Sequence, residues 1–257
     1  MYCPPTEGRK PVVVGFPGFA TTADEYGRTD RVLEELSKRG IVGVKFAHSS
    51  VQKEGTRIVA PFMLEEYVAE YAEAIEYASG RDDVDKGRIG VIASSISATI
   101  VAYLLAREYN GRKLTASIRC AAFTAPVTGW NHLYDAQKRE QLTRLQDAKP
   151  DWHLDISTPE DKMGSISRMI PGRSVAEFMK LDPLRMLESG ITHGGLEVLT
   201  IGGDADTTVN PASFPLFHSR LGGQPGNIFI YSGQSHYVDL RLYEKAVIDF
   251  FTAHLNQ

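Results

Sequence analysis

The stretch Arg88-Ile89-Gly90-Val91-Ile92-Ala93-Ser94-Ser95-Ile96-Ser97 decides the fold. Ile89 to Ala93 carry no polar side chain, so the strand predicted over Arg88–Ala93 must be covered on both faces. From Ser97 to Tyr109 the period changes: Ile100, Val101, Leu104 and Leu105 share one helical stripe, which Asn110-Gly111 ends. Only Ser94-Ser95-Ile96 separate the two patterns. A turn this tight leaves strand and helix nearly touching, so the residues two before and two after its apex must be small. Centred on Ser95 they are Ala93 and Ser97; centred on Ser94 they are the bulky Ile92 and Ile96, and centred on Ser97 one is the β-branched Thr99. Ser95 fits best. Such a turn lifts the Ser95 hydroxyl above the carboxyl edge of a sheet, with the Ile96 N–H, at a helix N-terminus, beside any oxyanion formed there. The same residues also fit a polar helix start capped by Ser94 or Ser95.

Working outward, apolar bursts of strand length recur at Pro11–Gly15, Ile41–Phe46, Ala116–Phe123, Leu196–Ile201 and Asn227–Tyr231, which with Arg88–Ala93 makes six. Helical stripes lie between them. Asp24–Arg39 places Val32, Leu33 and Leu36 on one face and stops at Gly40; Met63–Ala78 and Leu240–Leu255 carry apolar stripes of the same period. This alternation predicts an α/β fold with right-handed crossovers, a mainly parallel sheet and helices on both faces. Trp130–Gly190 breaks the rhythm: it is more polar, contains Pro150, Pro159, Pro171 and Pro183, and offers helices at Tyr134–Ala148 and Val175–Leu181. It is expected to be a lid inserted into a single domain spanning residues 1–257, the bland alternative being two ordinary surface helices.

Composition excludes several classes. The 257 residues are 42% hydrophobic and 23% charged with a net charge of −4, which leaves no excess of cations for nucleic acid. Neither a signal peptide at Met1–Lys10 nor a run of about 20 apolar residues for a membrane span is expected, and a cytoplasmic protein is the natural reading. Cys3 and Cys120 are too few for a disulfide scaffold and are expected to be inert. No His-x-x-x-His pair, phosphate-cradling loop or dinucleotide fingerprint occurs, so neither a metal nor a cofactor is expected.

A serine hydroxyl becomes a nucleophile only when a base takes its proton, and the base needs an acid to hold its tautomer. The fifth predicted strand opens into Gly203-Asp204-Ala205-Asp206-Thr207-Thr208-Val209, and the sixth into Gly233-Gln234-Ser235-His236. Parallel strands send both loops to the edge that carries Ser95. An acid and a histidine, each just past a strand's carboxyl end and in this chain order, do not arise readily by chance.

In this the chain resembles the α/β-hydrolase family over nearly its whole length from Pro11. The family's Gly-x-x-Asp-x-x-Val turn matches Gly203–Val209 and selects Asp206 over Asp204, and its histidine loop matches Gly233–His236. Gly15-Phe16-Pro17-Gly18-Phe19 is similar to the family's His-Gly-Phe loop with Pro17 in place of histidine, which implies the Phe19 N–H as one oxyanion donor and Ile96 as the other. A plain turn closing a strand is the alternative. Ala-x-Ser-x-Ser departs from the family's Gly-x-Ser-x-Gly. The resemblance implies a serine hydrolase in which Ser95, His236 and Asp206 cleave a carboxylic ester or related acyl bond of a small molecule. The same triad would serve a thioesterase or acyltransferase, and a small-molecule binder of this fold without turnover is the rival. Phe16 and Trp130 are expected to contact substrate. His48 is a lesser candidate for the pocket, His132 and His153 lie in the expected lid, and His193, His218 and His254 read as loop or helix-surface residues.

Overall fold

A computed structural model describes residues 1–3, 8–18, 27–107, 117–133, 136–148, 153–155, 167–188 and 195–256. Along the chain come β1 (Lys10–Phe16), α1 (Arg28–Lys38), β2 (Val42–Lys45), β3 (Gln52–Glu54), β4 (Arg57–Val59), α2 (Leu64–Gly80), β5 (Val84–Ser94), α3 (Ile96–Ala106) and β6 (Ile118–Thr124). Then follow α4 (Ala136–Ala148), β7 (His153–Asp155), β8 (Ser167–Pro171), α5 (Gly172–Met179), α6 (Pro183–Glu188), β9 (Glu197–Gly203), α7 (Phe214–Arg220), β10 (Ile228–Tyr231) and α8 (Leu240–Leu255).

All six expected strands are present and form one sheet in the order β10-β9-β6-β5-β1-β2, with every pairing parallel. Successive side chains leave opposite faces. Val12, Val14 and Phe16 of β1 join a core with α2 and α3, whereas Val13 joins Val32, Leu33 and Leu36 of α1 and Phe251 of α8 in a second core on the other face. Covering both faces is what the unbroken apolar runs required. β5 starts at Val84, four residues before the expected Arg88, because its polar lead-in Asp85-Lys86-Gly87 carries no strand signal. Gly90 in that strand lies where a Cβ would meet the Phe251 ring at 2.6 Å, which fixes how closely α8 approaches the sheet.

Between Trp130 and Glu188 the described residues hold a 3-10 turn at Trp130–His132, α4, β7, β8, α5 and α6. The expected helix at Val175–Leu181 is found at Gly172–Met179, and that expected from Tyr134 runs from Ala136, Tyr134 itself lying outside the described residues. β7 and β8 join β3 and β4 in a second sheet of order β3-β4-β8-β7, which was not foreseen. Strands of three residues carry too little period to be read. The segment is tied to the body of the fold: the Phe62 N–H donates to Ser174 Oγ at 2.8 Å, the Phe62 and Phe178 rings stack at 4.6 Å, and the Asp182 N–H donates to Tyr103 Oη at 3.0 Å. No helix among the described residues is long and apolar enough to cross a membrane.

Candidate active site

From β1 the chain runs outward to β2, then returns to β5 on the other side of β1. The exits of β1 and β5 therefore diverge, and in open α/β sheets the carboxyl ends of the strands at such a reversal are where a ligand crevice forms. Ser95 stands at that point, between β5 and α3, with φ 55° and ψ −121°. A non-glycine residue there is strained and persists only where its surroundings impose the conformation. They do so through hydrogen bonds on both sides: the Ser95 N–H donates to the Thr124 carbonyl at 2.8 Å, and the Ser95 carbonyl accepts from the Val127 N–H at 3.2 Å. Ser95 occupies the N-cap position of α3, yet its side chain makes no capping bond, so the hydroxyl is not spent on the helix. Ala93 and Ser97, two residues either side, are fully buried, as the close approach of strand and helix demands.

The first turn of α3 also holds the neighbouring strand exits. The Ser97 hydroxyl donates to the Pro17 carbonyl after β1, and the Thr99 hydroxyl to the Val127 carbonyl after β6. The Ile96 N–H begins the helix and so has no intrahelical acceptor. Phe19, expected as its companion donor, lies outside the described residues.

The sheet brings the three distant side chains together. His236 Nε2 is 3.2 Å from Ser95 Oγ, and His236 Nδ1 is 2.8 Å from Asp206 Oδ2. The Asp206 side chain is fully buried, and its Oδ1 accepts from the N–H groups of Thr208 at 2.7 Å and Val209 at 2.9 Å. Those two bonds fix the carboxylate, so only Oδ2 faces the imidazole. Asp204, the other acid of the loop, is exposed and accepts from the Gly233 N–H at 2.6 Å, which clamps the exits of β9 and β10 to each other. The Ala205 N–H donates to the Gln234 carbonyl at 3.0 Å in the same clamp.

Contact between these exits depends on Gly203, where a Cβ would lie 2.0 Å from the Gln234 carbonyl oxygen. The loop that carries His236 would have to move. Gly203→Ala is expected to destabilise the fold by about 1–3 kcal/mol, as overpacking of backbone does. Urea unfolding measures it, and an unchanged midpoint would refute the close approach.

Not every expected contact sits at the rim. Phe16 is fully buried and stacked on Tyr71 at 4.1 Å between ring centroids, which makes it a core side chain beneath the β1 exit rather than a wall of the crevice. Alternation along β1 explains it: Phe16 shares the face of Val12 and Val14. Trp130 is half-buried, packs against the core on that face and donates its backbone N–H to the Leu181 carbonyl at 3.2 Å. His218, read from the sequence as a surface residue, is buried instead. Its Nε2 donates to the Gln224 carbonyl at 2.8 Å and its Nδ1 meets Thr200 Oγ1 at 2.9 Å, and burial pushes its pKa down. His48 is buried against Tyr67 and Tyr71, and burial pushes its pKa down to about 4 against the pull of Glu70. His132 is half-buried beside Thr128, His153 is exposed, and His193 lies outside the described residues. Cys120 is buried in β6, which pushes its thiol pKa up.

No protein-family model matches the chain, and no curated protein matches it in sequence. Solved structures do match in shape. The α/β hydrolase GrgF from Penicillium sp. sh18 aligns at TM-score 0.71 and 11% identity over 98% of this chain and 93% of its own. Est1E from Butyrivibrio proteoclasticus aligns at 0.67 and 17% over 99% and 92%, and the monoacylglycerol lipase of Paleococcus ferrophilus at 0.66 and 16% over 96% and 97%. At such identities the likeness speaks for architecture alone, and with the strand order and the serine turn at its reversal it does so over almost the entire length: the chain has the α/β-hydrolase fold.

Proposed function

We propose that the protein is a serine hydrolase that cleaves a carboxylic ester, or a related acyl bond, of a small molecule through an acyl-enzyme intermediate. The observation that carries this reading is the unbroken line from Ser95 Oγ through His236 to the buried Asp206 carboxylate. As Ser95 Oγ bonds to the substrate's carbonyl carbon, its proton passes to His236 Nε2 and the carbonyl electron pair moves onto oxygen. The Ile96 N–H is proposed to receive that oxyanion, with Phe19 as the second donor. Collapse expels the alcohol, which takes the proton from His236 and leaves the acyl group on Ser95. Water then attacks the acyl carbon and gives its proton to His236; the second collapse releases the acid and returns the proton to Ser95.

Asp206 holds the ring hydrogen on Nδ1 throughout, so that Nε2 is free to accept. The segment from Trp130 to Gly190 is proposed as the cap over this crevice, with Trp130 on the substrate side. The backbone strain at Ser95 favours turnover over mere binding. A binding protein has no use for a strained serine whose hydroxyl faces a base.

A fluorophosphonate probe tests the reading directly, since the activated oxygen displaces fluoride and stays bonded to phosphorus. The expected result is one equivalent of label on the peptide that carries Ser95, together with release of p-nitrophenol from p-nitrophenyl acyl esters. Folded protein that neither labels nor turns over these esters would be a binder, and the proposal would fail.

A further inference from the structure

A buried line of polar side chains runs from α2 to the serine turn, and the reaction steps above make no use of it. His48, just past β2, has Nδ1 at 3.0 Å from Glu70 Oε2 and Nε2 at 2.9 Å from Tyr71 Oη. Tyr71 Oη is in turn 2.5 Å from Ser97 Oγ, and the Ser97 hydroxyl reaches the Pro17 carbonyl. Ser97 and Tyr71 are wholly buried, and the His48 side chain is 1% exposed.

Donor count gives the inner half of this line a direction. The Pro17 carbonyl can only accept, so it takes the one hydrogen of Ser97, and Ser97 must then accept from Tyr71. If Ser97 turned its hydrogen elsewhere, the Pro17 carbonyl would lose this donor. Packing fixes the frame as well, because the Tyr71 ring is stacked on Phe16, the last residue of β1, and the His48 ring on Tyr67.

These contacts meet at two places that the proposed chemistry needs in register. Pro17 precedes Gly18 and the expected oxyanion donor at position 19, and Ser97 sits two residues past the nucleophile on the same turn. We propose that Tyr71 and Ser97, with His48 behind them, are positioning residues that hold the β1 exit against the Ser95 turn, so that the oxyanion donors stand where the transition state requires them. None of the three touches substrate. The inference rests on the acyl-transfer reading of the site.

Misplacement of an oxyanion donor weakens transition-state binding more than substrate binding, so the effect should fall on kcat. Tyr71→Phe, which keeps the ring stacked on Phe16, and Ser97→Ala, the smaller truncation, are each expected to lower kcat about 10- to 100-fold, with KM within about twofold of wild type. His48→Phe should lower kcat in the same way, and His48→Gln, which keeps a donor and an acceptor, should recover part of the loss. Rates are measured on a p-nitrophenyl acyl ester at a temperature below each variant's melting point, with Ser95→Ala in parallel. If Ser95→Ala is inactive while Tyr71→Phe and Ser97→Ala keep kcat within twofold of wild type, the positioning role is wrong and the hydrolase reading survives. If Ser95→Ala turns over as fast as wild type, the reading of the site falls and the positioning role with it.

Discussion

Ser95→Ala is expected to lower kcat/KM by about 10⁴-fold or more, with residual turnover left to the oxyanion site and substrate binding alone. Alanine is as strained as serine at φ 55°, so the fold is expected to be retained and the loss to be chemical. Ser95→Gly sharpens the test, because glycine populates positive φ without steric cost. It should be as inactive as Ser95→Ala and yet more stable than wild type, by about 1 kcal/mol or more. Opposite signs on activity and stability at one position are what a strained nucleophile produces. A Ser95→Ala variant within tenfold of wild type on p-nitrophenyl acyl esters would remove the nucleophile from the proposal, and a Ser95→Gly variant that loses stability would remove the strain.

Asp206→Asn is expected to cost about 10⁴-fold in kcat without a comparable change in KM. The reason lies in the two backbone donors. Thr208 and Val209 N–H groups point at Oδ1, so the new side chain must keep its carbonyl oxygen there and turn its amide NH₂ toward His236. An NH₂ group donates, which obliges Nδ1 to accept and moves the ring hydrogen to Nε2. That nitrogen faces Ser95 Oγ and can no longer take its proton. Asp204→Asn is the control, since the amide oxygen can still accept from the Gly233 N–H, and it should stay within a few-fold of wild type. Equal rates for the two variants would show that the loop's acid has been assigned to the wrong role.

How far these roles were legible in the sequence varies by residue. The apex of the turn could be read at Ser95 because the small residues around it, Ala93 and Ser97, record how closely strand and helix approach; the structure puts Ser95 at the N-cap position but with no capping bond from its side chain. Phe16 could not be placed, because a residue at the last position of a strand faces either the rim or the core according to strand phase, and the phase placed it with Val12 and Val14 against Tyr71. His218 was misread because its partners, Thr200 and Gln224, belong to β9 and to the turn after α7, which no local period connects. The chain past β1 stayed a matter of resemblance at Phe19, which lies outside the described residues.

By itself, the sequence determined the six strands, the helices α1, α2, α3 and α8 and the parallel sheet, because unbroken apolar runs alternating with 3.6-residue stripes admit little else. Only the tertiary structure decided which strands are neighbours, and with that the reversal between β1 and β5 at which Ser95 stands. It alone also decided the second sheet, which pairs residues near position 58 with others near 169, and the line from Glu70 to Pro17. The physical reason is common to all three. Periodicity and turn chemistry are local properties of the chain, whereas strand order, long-range pairing and buried polar partners follow from which surfaces are excluded from water together, and that is settled only when the whole chain has packed.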